Sequence, residues 1–326
     1  MQRLTVTDER FPIRGGFTIS RGRRSHAHVV TVSIEDGSAA GRGECTPYAR
    51  YGETPQSVCA QITSIATAVE AGASRKDLQS LLSPGAARNA VDNALWDLEA
   101  KQKGIPVWQL AGLPEPSPLQ TAFTLSLDTP DAMALAAWEN RDRPLLKVKL
   151  GGNGDDDRMR AVCGHCGDAR VIVDANEAWP LDQLWEWLDL AANLGIELVE
   201  QPLAAGEDEL LAERPHAVPV CADESAHDLL SLERLKGLYE FVNIKLDKTG
   251  GLTEALAMKN AAGEAGFGIF IGCMMGSSLA MAPAFLLAHD AHYVDLDAPL
   301  LLSEDRKPAL AFDGSVVQPP PPVLWG

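Results

Sequence analysis

The feature that most constrains the fold of this chain is a regular alternation of short β-branched runs with longer helical patterns, beginning near residue 119. Eight runs are predicted to be strands: TAFTLSL, LLKVKL, RVIVDA, IELVEQ, VPVCAD, FVNIKL, GFGIFIG and HYVDLD. From Lys149 to Asp295, the residues that end the second to eighth runs follow one another at intervals of 22 to 27 residues, about one strand plus one helix. This spacing predicts a (β/α)₈ TIM-type barrel, which carries its chemistry at the carboxyl ends of its strands.

A different pattern precedes the barrel. Residues 1–112 combine alternating apolar stretches such as HVVTVSI, which are typical of antiparallel strands, with the long helical segment AARNAVDNALWDLEAKQKG. They predict an α+β capping domain, and the barrel is then expected over residues 113–303. The tail, residues 304–326, has a turn signal at Asp313-Gly314 and a proline run, and it is expected to return to the first domain.

Charge and hydropathy exclude several classes of function. The net charge of −17 argues against nucleic acid or an anionic membrane surface as a partner, because either would favour a basic face. No apolar run approaches the roughly 20 residues that a membrane span needs. The N-terminus, MQRLTVTDERF, lacks the apolar core of a secretory signal, so a cytoplasmic location is expected.

Carboxylates end three consecutive predicted strands: Asp174 in VIVDANEAW, Glu200 in LVEQP and Asp223 in CADES. One carboxylate after a strand is often only the N-cap of the next helix. Three on neighbouring strands would crowd like charges unless a cation lay among them. Because oxygen ligands without His or Cys suit a hard ion, the pattern predicts Mg²⁺ first and Mn²⁺ second.

Lysines flank these carboxylates along the chain. Lys147 and Lys149 interrupt an otherwise apolar second strand, and Lys245 ends the sixth. Lys149 and Lys245 would face each other across the barrel mouth, and a nearby cation and nearby ammonium groups should lower their pKa values. With a base on each face of a substrate, a proton next to a metal-chelated carboxylate could leave from one side and return on the other.

At these residues the chain resembles the enolase superfamily, specifically the dipeptide epimerases of its muconate-lactonizing-enzyme subgroup. That subgroup is recognised by K-x-K on the second strand, metal ligands ending strands three to five and a lysine on the sixth. This chain matches with Lys147-Val148-Lys149, the three carboxylates and Lys245. The similarity runs from GECTPYARYGE to DLDAP. It implies Mg²⁺-dependent, two-base epimerisation of the C-terminal residue of a dipeptide through an enediolate. The expected reaction is L-Ala-L-Glu to L-Ala-D-Glu and the reverse.

The resemblance also implies roles for residues around the catalytic lysines and the metal. Lys147 would contact the substrate carboxylate, Asn176 and Glu224 would orient metal ligands, and Asp247 would orient a lysine. The D-x-D motif of Asp295 and Asp297 would bind the free α-ammonium of the dipeptide.

Further substrate contacts are expected from loops around the barrel mouth. Arg24 in SRGRRSHA would bind the glutamyl carboxylate, with Arg21 and Arg23 as rivals for that role. The remaining candidates are a lid contact, a hydroxyl at the end of the first strand and backbone groups after the seventh strand, namely Tyr51, Thr124, Gly272 and Cys273.

Other functions remain open at this point. An o-succinylbenzoate synthase or a muconate cycloisomerase of the same subgroup would use the same metal site. A Schiff-base aldolase would use Lys245 to attack a ketone, but it would leave the three carboxylates unexplained. A non-catalytic binding barrel would need neither lysine. The expected partner is a small dipeptide, and the sequence leaves a monomer or a homo-oligomer open.

Overall fold

The first third of the chain forms an antiparallel sheet covered by helices, as the computed structural model, which describes residues 2–326, shows. The sheet has the order β1-β2-β3. Its strands and the helices that follow are β1 (Arg3–Ile19), β2 (Gly22–Asp36), β3 (Ala39–Cys45), α1 (Pro55–Ser64), α2 (Ala66–Glu70), α3 (Arg75–Leu81), α4 (Ala86–Lys103) and α5 (Val107–Leu110).

Helix α4 packs directly on β3 because two glycines let the backbones approach. A Cβ atom on Gly41 would lie 2.1 Å from the carbonyl oxygen of Ala94, and one on Gly43 would lie 2.1 Å from that of Ala90. The helix ends at Gly104, whose φ of 66° is the left-handed conformation typical of a C-terminal cap. This packing creates the buried apolar core of the capping domain.

The eight predicted strands are all present and form one parallel sheet in chain order, so the predicted barrel is confirmed. The short strand β4 (Leu119–Gln120) precedes them, and the barrel strands are β5 (Phe123–Leu125), β6 (Leu145–Lys149), β7 (Arg170–Asp174), β8 (Leu198–Glu200), β9 (Val220–Ala222), β10 (Phe241–Ile244), β11 (Gly268–Ile271) and β12 (Tyr293–Val294). The backbone N–H of Ala122 donates to the carbonyl of Val294 at 2.8 Å and joins the first strand to the last. In this ring, β6 and β10 lie opposite each other because three strands lie between them in either direction.

Helices surround the ring at most positions. They are α6 (Pro130–Glu139), α7 (Asp155–Cys163), α8 (Leu184–Asn193), α9 (Leu232–Leu235), α10 (Leu246–Thr249), α11 (Leu252–Glu264), α12 (Ser278–Leu287) and α13 (Ala298–Leu301). Between β8 and β9 the structure departs from the expected strand-helix repeat, since a 3₁₀ helix (Asp208–Glu213) replaces the α-helix there. Pro202 and Pro215 flank this connection.

The strand alternation places apolar and polar side chains in successive layers inside the ring. The apolar layer is a buried cluster formed by Ala122, Leu145, Ile172, Leu198, Cys221, Phe270 and Tyr293. Two residues further along the strands, the same inward-facing positions are occupied by polar residues such as Lys147, Asp174 and Glu200. The polar groups therefore stand on an apolar floor at the carboxyl end of the barrel.

The C-terminal tail pairs with the start of the barrel and then reaches the capping domain. The hairpin of β13 (Phe312–Asp313) and β14 (Val316–Val317) continues onto β4. Beyond it, the Trp325 indole N–H donates to the Asn93 carbonyl of α4 at 3.0 Å. Within residues 2–326, no helix is both long and apolar enough to cross a membrane.

Candidate active site

A solvent-open cavity, about 700 Å³ with the solvent space at its mouth included, lies between the barrel mouth and the capping domain. Most of the residues predicted to act on a substrate line it. They are Arg24, Tyr51, Thr124, Lys149, Asn176, Asp223, Glu224, Lys245, Cys273, Asp295 and Asp297. The two catalytic candidates thus share one cavity, and they stand on opposite strands of the ring.

The carboxylates of Asp174, Glu200 and Asp223 converge, and of the three Asp223 lines the cavity. Each is buried, and each offers one ligand atom within 4.8 Å of the others. The register explains this, because Lys149, Asp174 and Glu200 are paired across β6, β7 and β8. One oxygen of each carboxylate, here called the outer oxygen, accepts a hydrogen bond. The donor is a backbone N–H for Asp174, and a side chain that does not line the cavity for Glu200 and Asp223. The pairs are Asn176 N to Asp174 Oδ1 at 2.9 Å, Asn243 Nδ2 to Glu200 Oε1 at 2.7 Å and Lys248 Nζ to Asp223 Oδ1 at 2.6 Å.

The second oxygen of each carboxylate, the inner oxygen, faces a lysine. Lys149 Nζ donates to Asp174 Oδ2 at 2.6 Å, and Lys245 Nζ donates to Asp223 Oδ2 at 2.6 Å. Lys147 Nζ lies 2.7 Å from Glu200 Oε2. That contact lacks the geometry of a hydrogen bond, so Glu200 Oε2 is buried without a hydrogen-bond partner. Because the outer oxygens are held by other donors, the inner oxygens are the candidate ligands for a cation.

Charges within this cluster shift the pKa values of Lys245 and Asp174. Burial by itself lowers the pKa of Lys245, but the carboxylates of Asp223 and Glu200 outweigh burial and raise it well above its usual value. For Asp174, burial raises the pKa, but Lys149 and Lys147 outweigh burial and hold it at about 2. The carboxylates thus raise the pKa of Lys245 in the protein alone, and the expected lowering, which depends on a bound cation, stays a prediction.

The donor set fits a hard divalent cation. Its ligands are three carboxylate oxygens without nitrogen or sulfur, which suits Mg²⁺. Two more buried oxygens at the cavity, Asn176 Oδ1 and Glu224 Oε2, have no hydrogen-bond partner. Burial and the neighbouring Asp223 raise the pKa of Glu224 to about 7. Unpaired buried oxygens are costly unless a ligand satisfies them, so these atoms also favour a bound cation with its water.

The D-x-D carboxylates follow β12, which lies across the ring from β8 and its Glu200. Asp295 accepts from Lys147 Nζ at 2.8 Å, and Asp297 accepts from the Thr124 backbone N–H at 2.6 Å. Burial, followed by the charge of Asp295, raises the pKa of Asp297 to about 8. A cationic group of a substrate would lower that pKa and stabilise the ionised form.

Arg21 lies in the turn between β1 and β2, whereas Arg24, expected in a loop, lies on β2 opposite Phe17, and the two arginines differ in their partners. Arg21 Nη2 donates to Glu224 Oε1 at 2.6 Å and to the Tyr48 hydroxyl at 2.8 Å. The Arg24 guanidinium lies 5.0 Å from the Tyr48 ring centre, and it has no hydrogen-bond partner within residues 2–326. Tyr51 also lines the cavity, and its hydroxyl is buried without a partner. Of these two arginines, Arg24 is therefore the one that lines the cavity with its donors unused.

Two consecutive residues that follow β7 have a strained backbone. Asn176 and Glu177, which follow β7, have φ values of 47° and 66°. Such left-handed conformations cost non-glycine residues about 1–2 kcal/mol each. In this conformation the Asn176 carbonyl accepts from Ser20 Oγ at 3.0 Å and from Arg21 Nη1 at 3.1 Å. The strain places the loop after β7 against the capping domain.

Comparisons with known proteins decide the family. Residues 1–112 match the family model "Mandelate racemase / muconate lactonizing enzyme, N-terminal domain", and residues 131–321 match "Enolase C-terminal domain-like". The chain belongs to the enolase superfamily.

Two curated relatives within this superfamily are similar over nearly the whole chain. The L-Ala-D/L-Glu epimerase of Escherichia coli (strain K12) is 46% identical over 96% of this chain and 98% of the relative. The N-acetyl-D-glutamate racemase of a Pseudoalteromonas species is 44% identical over 91% of this chain and 95% of the relative.

A solved structure is similar over the full length of both chains. It is an enolase family member from Agrobacterium tumefaciens with homology to dipeptide epimerases, described with bound sodium and L-Ala-L-Glu and an ordered loop. It is 54% identical to this chain, covers 100% of each, and has a TM-score of 0.98.

Two predicted residues of this enolase-superfamily site have other contacts than expected. Within residues 2–326, Asp247 does not contact a lysine; its Oδ1 accepts from the Thr46 backbone N–H at 2.9 Å and from Asn89 Nδ2 at 2.8 Å. The prediction that it orients a lysine is wrong, since the chain turns into α10 directly after Lys245 and points Asp247 at the capping domain. Lys147 is fully buried and does not line the cavity.

Gly272 is also absent from the cavity lining, and its role is steric. A Cβ atom at this position would lie 2.5 Å from Asn243 Oδ1, so only glycine leaves room for the amide that holds Glu200. Sequence reasoning missed both Asn243 and Lys248, which stand in the same NIKLDK stretch as Lys245. The inward-facing position of Asn243, two residues before Lys245, was the available signal.

Proposed function

We propose that this protein catalyses Mg²⁺-dependent epimerisation at the α-carbon of the C-terminal residue of a dipeptide, with L-Ala-L-Glu and L-Ala-D-Glu as the interconverted pair. The observation that carries the proposal is the placement of Lys149 and Lys245 on opposite strands of one ring, both lining one cavity beside three convergent carboxylates. The similar proteins from Escherichia coli and Agrobacterium tumefaciens support the choice of substrate.

The two lysines would exchange one proton with the substrate on its two faces. One ε-amine accepts the α-proton while the opposite ammonium donates a proton to the other face, which inverts the carbon. A bound divalent cation supplies stabilisation for the negative charge that develops on the substrate carboxylate. The Asp174 and Asp223 carboxylates, which hydrogen-bond the two lysines, keep both ε-nitrogens in place beside the cavity.

Substrate recognition would come from the two charged ends of the dipeptide. Asp297, with Asp295 beside it, would bind the α-ammonium of the N-terminal residue. Arg24 would bind the glutamyl side-chain carboxylate, since its guanidinium lines the cavity with its donors unused, whereas Arg21 is paired with Glu224. Tyr51, through its buried hydroxyl, would close over the bound dipeptide.

A second candidate is the racemisation of an N-acylated glutamate. Asp295 is already paired with Lys147, and Asp297 already accepts from Thr124, so neither requires a substrate ammonium for a partner. The similar N-acetyl-D-glutamate racemase supports this alternative. Both candidates share the glutamyl carboxylate and the proton chemistry, and they differ only in the group attached to the α-nitrogen.

The deciding experiment is α-proton exchange in deuterated water. The protein is incubated with Mg²⁺ and, separately, with L-Ala-L-Glu, L-Ala-D-Glu and N-acetylglutamate, and the mass gain is followed with epimer composition. Exchange with both dipeptides but not with N-acetylglutamate supports dipeptide epimerisation, and the reverse supports the racemase. If the protein exchanged neither kind of substrate but converted a succinylated or muconate substrate, it would be a synthase or a cycloisomerase of the same subgroup.

We also propose a cytoplasmic location and a role in the recycling of murein peptides, for which L-Ala-L-Glu is a chemically suitable substrate. The six cysteines form no disulfide within residues 2–326, as suits a reducing compartment. Mn²⁺ is the second choice of cation on ligand chemistry alone. Titration with both ions against the exchange rate ranks them, and sedimentation of the purified protein decides between a monomer and a homo-oligomer.

A further inference from the structure

Lys248 lies three residues after Lys245, but its surroundings are different. Lys245 lines the cavity, whereas Lys248 is 0% exposed and lies outside the lining. It belongs to the short helix α10, which turns it away from the barrel mouth and behind Asp223. A lysine closed off in this way cannot exchange a proton with a substrate.

All three donors of the Lys248 ammonium are used. Its Nζ donates to Asp223 Oδ1 at 2.6 Å, to the Asp223 carbonyl at 2.5 Å and to the Asn243 carbonyl at 2.8 Å. Two of the three contacts fall on Asp223, one on its backbone and one on its side chain. Lys248 therefore fixes both the position and the rotation of that carboxylate.

The other two carboxylates are held differently. The outer oxygen of Asp174 is held by a backbone N–H, and that of Glu200 by the amide of Asn243. Asp223 is the one whose outer oxygen is held by a charged side chain. Its inner oxygen contacts Lys245, which must be free to move a proton. Its orientation therefore cannot depend on Lys245, and Lys248 is the group that maintains it.

We infer that Lys248 is a positioning residue that holds Asp223 with Oδ2 directed at the bound cation and so determines the affinity of the site for Mg²⁺. The inference rests on the metal site of the proposed function. Lys248 touches neither the substrate nor the transferred proton in this arrangement. It acts only through Asp223.

Position and charge predict effects of opposite sign, which makes the inference testable. A nearby positive charge repels a cation, so a lysine acting only through its charge would, on removal, leave Mg²⁺ bound more tightly. A lysine that positions a ligand would, on removal, leave Mg²⁺ bound about 10–100-fold more weakly.

The experiment measures Mg²⁺ affinity by calorimetry on protein freed of metal with a chelator. Lys248→Met is compared with wild type and with Lys259→Met as the matched control. The Lys259 ammonium also donates to three acceptors, at 2.8, 2.8 and 2.6 Å, but these belong to Leu287, His289 and Asp290, away from the site. Weaker binding by about 10–100-fold in Lys248→Met alone supports the inference. Unchanged or tighter binding in Lys248→Met overturns it.

Two further measurements test the inference even if Lys248→Met does not fold. Lys248→Gln keeps donors without the charge and is expected to bind Mg²⁺ more weakly than wild type but more tightly than Lys248→Met; affinity equal to wild type counts against the inference. A crystal structure of the wild-type holoenzyme should show Lys248 on Asp223 Oδ1 and the cation on Oδ2. A cation on Oδ1, or on both oxygens, would contradict it without any variant.

Failure of this inference can be told apart from failure of the proposed function. If wild type binds no Mg²⁺ and exchanges no α-proton, the proposed function itself is wrong. If wild type binds Mg²⁺ and Lys248→Met binds it equally well, only the role of Lys248 is wrong.

Discussion

The barrel side and the capping side of the cavity are built in different ways. On the barrel side, Lys149 and Asp174 are held in the strand ladder, and both are buried. On the capping side, Arg21 lies in the two-residue turn before β2, and Arg24 lies near the start of β2, paired with Phe17 where the β1–β2 register resumes after an irregularity between Pro12 and Phe17. The proton chemistry thus stands on the buried strand ends of the barrel, and the proposed choice of side chain rests on long residues at the end of a two-stranded hairpin. We expect substitutions on the two sides to have different effects.

The largest expected effect is on the barrel side. Lys149→Ala and Lys245→Ala should each lower the epimerisation rate by about 10²–10⁴-fold, because each removes one acid/base group. Each variant should also stop α-proton exchange for one epimer while the other epimer still exchanges. The measurement is mass gain in deuterated water, with L-Ala-L-Glu and L-Ala-D-Glu assayed separately.

Exchange of both epimers by both lysine variants would contradict the two-base interpretation. If both lysine variants still exchanged both epimers at the wild-type rate, neither lysine would be the base. Lys259→Ala, which removes a lysine outside the site, should leave both exchange rates unchanged.

A smaller effect is expected from the D-x-D carboxylates. Asp297→Asn keeps an acceptor for the Thr124 N–H but cannot be charged, so kcat/KM for L-Ala-L-Glu should fall about 10–100-fold. N-acetylglutamate has no ammonium, and any turnover of it should be unaffected. Equal losses on both substrates would instead indicate that Asp297 supports the fold of the cavity.

On the capping side, Arg24→Ala should lower kcat/KM for L-Ala-L-Glu by about tenfold, mainly through KM, because a hydrogen-bonded charge contact at a half-exposed site is lost. A dipeptide that ends in an apolar residue should not show this loss. Arg21→Ala is the comparison, since Arg21 is paired with Glu224 and should affect both dipeptides alike. If Arg21→Ala alone discriminated against L-Ala-L-Glu, the assignment of the two arginines would have to be exchanged.

A further test needs no variant and concerns a difference in pH dependence between substrates. The pKa of Asp297 is raised to about 8, so its charged form grows as the pH rises from 6 to 8. Because that form binds an ammonium, kcat/KM for the dipeptide should rise by up to about tenfold per pH unit in this range. Above about pH 8 the dipeptide ammonium itself loses its proton and the gain should end. A dipeptide profile parallel to that of N-acetylglutamate between pH 6 and 9 would argue against this role.

Much of the barrel side could be predicted because strand alternation and parallel register are local rules. A polar residue at an inward-facing position near the end of a strand can point only into the mouth, which is how Asp174, Glu200 and Lys245 were found. The same rule would have placed Asn243 inside the barrel, but the role of Lys248 could not be predicted, because a lysine in the helix after a strand is as compatible with the outer surface as with a buried contact. The contact of Asp247 with Thr46 depends on a domain more than 200 positions earlier in the chain.

The amino-acid sequence by itself determined the eight strands, their order, and the convergence of three acids and three lysines, because each follows from periodicity and spacing. Only the tertiary structure decided which oxygen of each acid is held by a donor and which faces a lysine, and which arginine keeps its guanidinium free. The oxygen contacts depend on how neighbouring strands of the closed barrel bring side chains such as Asn243 and Glu200 together. The arginine contacts depend on how the capping domain packs on the barrel, and neither set follows from a local pattern.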